Sequence, residues 1–228
     1  MKLSQLSRLL QLASPALPVG AYTYSQGLEW AVDSGAASNE ASVLQWIGDL
    51  LEWNLGRFEA PLLGRMLAAW RTSAGAGADL APLNEIFLAS RETAELRAET
   101  VQMGYSMTRL LGDLEDFPAP ALAVLQALAQ PGFPVAWACA AVAWDIDDAA
   151  ALTAYLWSWA ENQVMAALKT GSLGQAAGQR VLLALGERIP DVAEGALALD
   201  APDFSNFAPA FAIACSRHET QYSRMFRS

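Results

Sequence analysis

The chain has 228 residues, of which 54% are hydrophobic and 17% charged, and its formal net charge is −10 at pH 7. So apolar a composition excludes disorder over most of the length and supplies core for one large domain or two small ones. The acidic surplus repels phosphate backbones and argues against nucleic-acid binding, while it suits either solubility or attraction to a basic protein surface.

In chain order the pattern is helical. Leu3, Leu6, Leu9, Leu10 and Ala13 share one face, and "SPALPVG" then breaks the helix. Gln5, Ser7, Arg8 and Gln11 interrupt this first stretch too often for a signal peptide. A second helical piece is expected from Ser25 to Val32, stopping at Gly35. A third begins at the N-cap Asn39 and runs to about Leu55, and a fourth opens with Pro61 in its first turn and ends near Trp70. The small residues of 72–79 read as a loop. The longest pattern spans Pro82 to Leu111, with Glu92, Glu95 and Glu99 spaced for one face. Further helices are expected at 119–129, 134–144, 147–170 with Asp147 as cap, 173–186, 191–199 and 208–216. Alternating strand patterns are lacking. No window gives the roughly 18 uncharged apolar residues of a membrane span. The expectation is an all-α fold, a single domain of about ten helices packed as an irregular bundle (residues 1–215), followed by a tail, 216–228.

The usual chemical constellations are missing. A phosphate-binding loop is absent, since Leu168 stands where Lys169-Thr170 would need glycine. His218, the only histidine, falls in the tail, where a general base is hard to preorganise. One His and two Cys cannot close a tetrahedral soft-ligand site. Cys139 and Cys215, in apolar surroundings, read as free thiols in a reducing cytosol, so the protein is expected in the cytoplasm with no cofactor. Asp145, Asp147 and Asp148 suggest an alternative, an all-α Mg²⁺-dependent enzyme; their spacing also suits an N-cap with an acidic first turn. Trp46 and Trp53, and likewise Trp137 and Trp144, are two helical turns apart and are expected to pack in the core. Tyr22, Tyr24, Ser25, Gln26 and Glu29 form an unusually polar run past the first turn. Lys169 sits among Asn162, Gln163, Gln175 and Gln179, near glycines 171, 174 and 178, which suit either a partner's backbone or packing within the chain.

The tail, "SRHETQYSRMFRS", is short and polar, yet Tyr222, Met225 and Phe226 are apolar anchors and Arg217, Arg224 and Arg227 bidentate donors. These residue types are enriched at interfaces, and the expected behaviour is a docking segment that orders on a partner.

"LLQLASPALPVGAYTYSQGLEWA", "RETAELRAE", "QMG", "FPVAWACAA", "SLGQAAGQRVL" and "RHETQYSRMFRS" occur in this order over nearly the whole chain. In these stretches it resembles the urease accessory protein UreF family. The resemblance implies an all-helical, non-catalytic protein that assists assembly of the nickel centre of urease. It implies a homodimer that binds the companion UreD (also called UreH), recruits the nickel-carrying GTPase UreG and acts with it on apo-urease, regulating the GTPase or checking the fidelity of delivery. His218, Glu219, Gln221, Tyr222, Arg224 and Phe226 match the family's C-terminal motif for companion binding, and Tyr22 and Tyr24 its N-terminal motif. Lys169 and its glutamine neighbours are a further expected partner-facing surface. Arg224 is expected to anchor the tail to the helical body by hydrogen bonds or ion pairing, near the two tyrosines.

Overall fold

Apolar residues at spacings of three and four become eleven α-helices in the computed structural model, which describes residues 1–72 and 80–228. They are α1 (Leu3–Ala13), α2 (Leu28–Asp33), α3 (Glu40–Leu50), α4 (Ala60–Thr72), α5 (Leu80–Ala89), α6 (Ala94–Asp113), α7 (Ala119–Ala127), α8 (Phe133–Ala143), α9 (Asp148–Lys169), α10 (Gln175–Ala198) and α11 (Pro209–His218). Among the described residues there is no strand, so the fold is all-α as expected. The loop expected at 72–79 lies outside the described residues, apart from Thr72.

The caps read from the sequence form. The Asn39 side chain accepts from the Ser42 N–H, and Asp147 Oδ1 accepts from the Ala150 N–H at 2.9 Å, each satisfying a donor that the first helical turn leaves unpaired. Three expectations give way. The run from Pro82 to Leu111 is two helices, because the Thr93 hydroxyl accepts from the Leu96 N–H and starts α6 afresh. The segments expected at 173–186 and 191–199 are one helix, α10, continuous through Pro190. Leu185, Ile189, Ala193 and Ala196 are buried along one side of α10, which packs on α9, α3 and α4 and holds both halves in line.

The third correction concerns α3 and α4. They are joined without a break by a π-helix, Leu51–Glu59. Its wider turn takes Trp53 off the face of Trp46: Trp53 is 57% exposed beneath the Arg57 guanidinium, whereas Trp46 packs on the core. Pro61, lacking an N–H, leaves the Arg57 carbonyl unpaired within the helix, and the Ser205 N–H donates to it at 3.0 Å.

α8 is buried over most of its length between α4 and α6, with α7 alongside. Trp137, fully buried, makes edge contacts with Phe133 and Tyr155. Of the three glycines near the start of α10, Gly178 serves packing within the chain, since a Cβ there would meet the Leu168 side chain at 3.2 Å, whereas Gly171 and Gly174 face open space. Cys139 and Cys215 are both buried free thiols. Among the described residues no helix is long and apolar enough to cross a membrane.

The acidic cluster 145–148 is spent on architecture. Asp147 caps α9, Asp148 pairs with Arg71 on α4 at 2.7 Å, and Asp145, at a left-handed φ of 55°, is held by Gln5 Nε2 through its carbonyl and its carboxylate. Among the described residues no group of three or more His, Cys, Asp and Glu side chains is placed to hold a metal ion, so the Mg²⁺-enzyme alternative is not supported. Asp147→Ala is expected to cost about 1 kcal/mol of stability through the lost cap. Thermal melts should show that loss, with no shift on adding magnesium to either protein.

Candidate partner-docking surface

The tail does not wait for a partner to take shape. α11 runs on to His218, through the boundary expected at 215/216, and residues 219–228 fold back over α2 and the start of α6. The reason is three glutamates, Glu29 on α2 and Glu95 and Glu99 on α6, whose carboxylates are withdrawn from water and filled by the tail. Glu29 accepts from the main-chain N–H of Met225 at 2.7 Å and of Phe226 at 2.9 Å. Glu95 pairs with Arg224. Glu99 accepts from the Ser228 hydroxyl at 2.7 Å.

His218 is fully buried, not exposed as its place in a polar tail suggests. Its Nδ1 lies 2.7 Å from Glu95 Oε2 and its Nε2 3.2 Å from Glu29 Oε2, so the ring donates to both carboxylates when it carries two protons. Glu219 accepts from the Glu95 N–H at 3.2 Å and so places a negative charge at the N-terminus of α6. Backbone bonds complete the seam: the Ser25 N–H and hydroxyl both donate to the Ser228 main-chain oxygen, and the Arg227 N–H donates to the Thr23 carbonyl. The contact requires glycine at position 27, where φ is +75° and a Cβ would sit 3.0 Å from the Cys215 nitrogen of α11.

The residues singled out from the sequence thus separate into two groups. Tyr24, His218 and Phe226 are buried, and Glu219 and Arg224 bond to the body; Arg224 does so through Glu95. Tyr22 is 60% exposed, Met225 63%, and Tyr222 stands fully in solvent. Lys169 joins the two ends of the chain, donating to the Tyr22 carbonyl at 3.1 Å with its ammonium against the rings of Tyr22 and Phe226. Asn162 Nδ2 donates to the Tyr24 carbonyl. Gln221 is tied by its N–H to the His218 carbonyl.

Beside this surface a cavity of about 140 Å³ passes inward from Pro15, Tyr22, Met165 and Lys169 to Trp137. Much of its polar lining is internally paired, whereas the buried Trp137 indole N–H has no partner among the described residues. Trp159 donates to Gln26, Gln26 donates to Glu99 at 2.7 Å, and Glu59 accepts from Arg91 at 3.0 Å and from the Tyr155 hydroxyl at 2.5 Å. Burial, opposed by the bonds from Ser228 and Gln26, pushes the Glu99 carboxyl up to about 7. Burial likewise raises the Tyr155 phenol and the Cys215 thiol, and takes the Cys139 thiol to about 12. Both Glu99 oxygens are engaged by protein donors and these thiols stay protonated, so the arrangement binds its own chain and activates no nucleophile. In the sequence Glu95 and Glu99 were visible as sharing one face with Glu92, and Glu29 as part of a polar run, but nothing there marked them as the groups that hold the tail.

The sequence pattern that defines the UreF family matches residues 37–186. The chain belongs to the urease accessory protein UreF family. It is 63% identical over 225 residues to the urease accessory protein UreF of Azoarcus sp. (strain BH72), covering 98% of this chain and 95% of that protein. It is 61% identical over 225 residues to the UreF of Dechloromonas aromatica (strain RCB), covering 98% of each. It is also 47% identical to a bifunctional urease accessory protein UreEF of Bordetella bronchiseptica, covering 98% of this chain and 52% of that one.

Glu29→Ala removes the acceptor for two tail N–H groups and for His218. A buried donor left unpaired costs about 1–3 kcal/mol, so a loss of about 2–5 kcal/mol is expected. Hydrogen exchange should show the amides of Met225 and Phe226 losing protection, while those of α8 stay slow.

Proposed function

We propose that this UreF-family chain is a non-catalytic scaffold in the cytoplasm that acts in nickel insertion into urease. In this reading it dimerises, binds the UreD/UreH companion, and recruits the UreG GTPase to apo-urease. The observation that carries it is the folded tail, which turns Tyr222 and Met225 outward while its other side is bonded to Glu29, Glu95 and Glu99. An exposed aromatic and an exposed methionine on a preorganised backbone suit a partner interface, because the ordering entropy is already spent.

The partner-binding residues divide by role. Tyr22, Tyr222 and Met225 touch the companion. Tyr24, Lys169, His218, Glu219, Gln221, Arg224 and Phe226 shape the surface that does so. The nucleotide chemistry belongs to UreG, in keeping with the absence of a phosphate-binding loop from the sequence. The acidic surplus favours basic partner surfaces. Exposed apolar side chains on the body, Trp53, Leu183 and Phe207, support a homodimer. The Bordetella bifunctional UreEF relative supports a role among urease accessory proteins.

Deleting the tail is a poor test, because it strands two buried carboxylates, Glu29 and Glu99, and the half-buried Glu95. Tyr222→Ala combined with Met225→Ala leaves every tail hydrogen bond in place. Co-purification with the companion is expected to weaken about 10–100-fold, as for the loss of one or two interface anchors, with an unchanged melting temperature. Urease activation in a reconstituted system should fall with it. Undiminished companion binding by the double variant would place the interface elsewhere.

A further inference from the structure

The Glu99 carboxyl is shared between two compartments. One oxygen accepts from Gln26, whose own carbonyl is held by Trp159 in the cavity wall; the other accepts from the Ser228 hydroxyl of the tail. Glu99 is only 5% exposed. Around it lie Glu95 on the same helix, Glu29 from α2, Glu59 from the π-helix, Arg91 from the turn before α6, Tyr155 from α9, and His218 and Cys215 from α11. Glu161, also lining the cavity, has its carboxyl raised by burial. The cations near this group are already engaged, Arg91 by Glu59 and Arg224 by Glu95. No positive charge on the tail pairs with Glu99; what meets it there is a hydroxyl.

We propose that Glu99 makes the tail a proton-gated strap, closed when this carboxyl is neutral and loosened when it ionises. The two states differ in what the seam must bury. A neutral Glu99 keeps both bonds, because the Ser228 hydroxyl accepts from the acid as readily as it donates to the carboxylate, and Gln26 still donates to the other oxygen. An ionised Glu99 places a second negative charge near Glu59 at a site only 5% exposed, and lifting the tail exposes it further to water. The direction follows from linkage. The strapped carboxyl holds its proton up to about 7, against an ordinary 4.5, so raising the pH across that window favours the lifted state. Between pH 6 and pH 8 the opening equilibrium of the strap is then expected to rise about tenfold. Where the tail carries the companion-binding surface, companion affinity becomes pH-linked in the same sense; that consequence rests on the function proposed above, whereas the gating itself does not.

The test uses the full isolated chain. Hydrogen exchange of the Ser25, Phe226 and Arg227 amides, corrected for the intrinsic pH dependence of exchange, is measured at pH 6 and pH 8, with amides of α8 as internal reference. The expected result is about tenfold weaker protection of the three seam amides at pH 8, with the reference unchanged. In Glu99→Gln, which holds the neutral shape at both pH values, the seam should stay closed and the difference vanish. Equal protection at the two pH values in the unaltered chain overturns the proposal, and this arm needs no variant to fold. A pH response that persists in Glu99→Gln assigns the titration to another group and overturns it equally. Companion binding measured separately at the two pH values distinguishes failure of the strap from failure of the docking role.

Discussion

Burying carboxylates without partners is among the most expensive things a fold can do, and this fold buries two, Glu29 and Glu99, with the half-buried Glu95 beside them. Glu29, Glu95 and Glu99 are tolerated because the last eleven residues bring them donors: two main-chain N–H groups, an imidazole, a guanidinium and a hydroxyl. Body and tail therefore depend on each other. The helical body without its tail is left with stranded charges, and the tail without the body has too few apolar groups to fold. The C-terminal strap is thus a structural component that also presents a surface, and its rigidity derives from the side facing inward.

A second buried cluster extends the same logic deeper. Arg91, Glu59 and Tyr155 close on one another beneath the cavity, with Arg91 stacked on the Phe87 ring at 4.2 Å. From Lys169 at the surface to Arg91 in the interior, Lys169, Asn162, Gln26, Glu99, Glu59 and Arg91 meet partners supplied by other elements: the 21–26 turn, α6, α9 and the π-helix. Such cross-element pairing specifies one arrangement of helices where apolar contacts alone would accept several. The Arg57 carbonyl, freed by Pro61 and taken up by Ser205, repeats the pattern at the same end of the π-helix, two residues before Glu59. Segments late in the chain complete what earlier helices leave open.

Much of the secondary structure was legible because it is locally encoded. Asn39 and Asp147 cap their helices, the apolar face of α1 is where the spacing of its leucines puts it, and the all-α class follows from alanine- and leucine-rich periodicity. The errors fall where local signals mislead. Thr93 is a weak stop signal against the strong helical pattern on both sides of it. Pro190 is a strong stop signal that α10 overrides by burying residues before and after it on one face. The π-helix has no sequence signature of its own, so the seven-residue spacing of Trp46 and Trp53 implied a shared face that the widened turn abolishes.

The site divides in the same way. The sequence alone determined that the tail is chemically unlike the rest of the chain and that phosphate-loop and soft-metal chemistry lack their residues. Only the tertiary structure decided that His218 is buried, that Phe226 faces inward while Tyr222 faces out, and that Glu29, Glu95 and Glu99 are the groups that hold them. The physical reason is distance along the chain. A glutamate's environment is set by what lands on it, and here the residues that land on Glu29 and Glu99 lie at the far end of the polypeptide, beyond the reach of any local pattern.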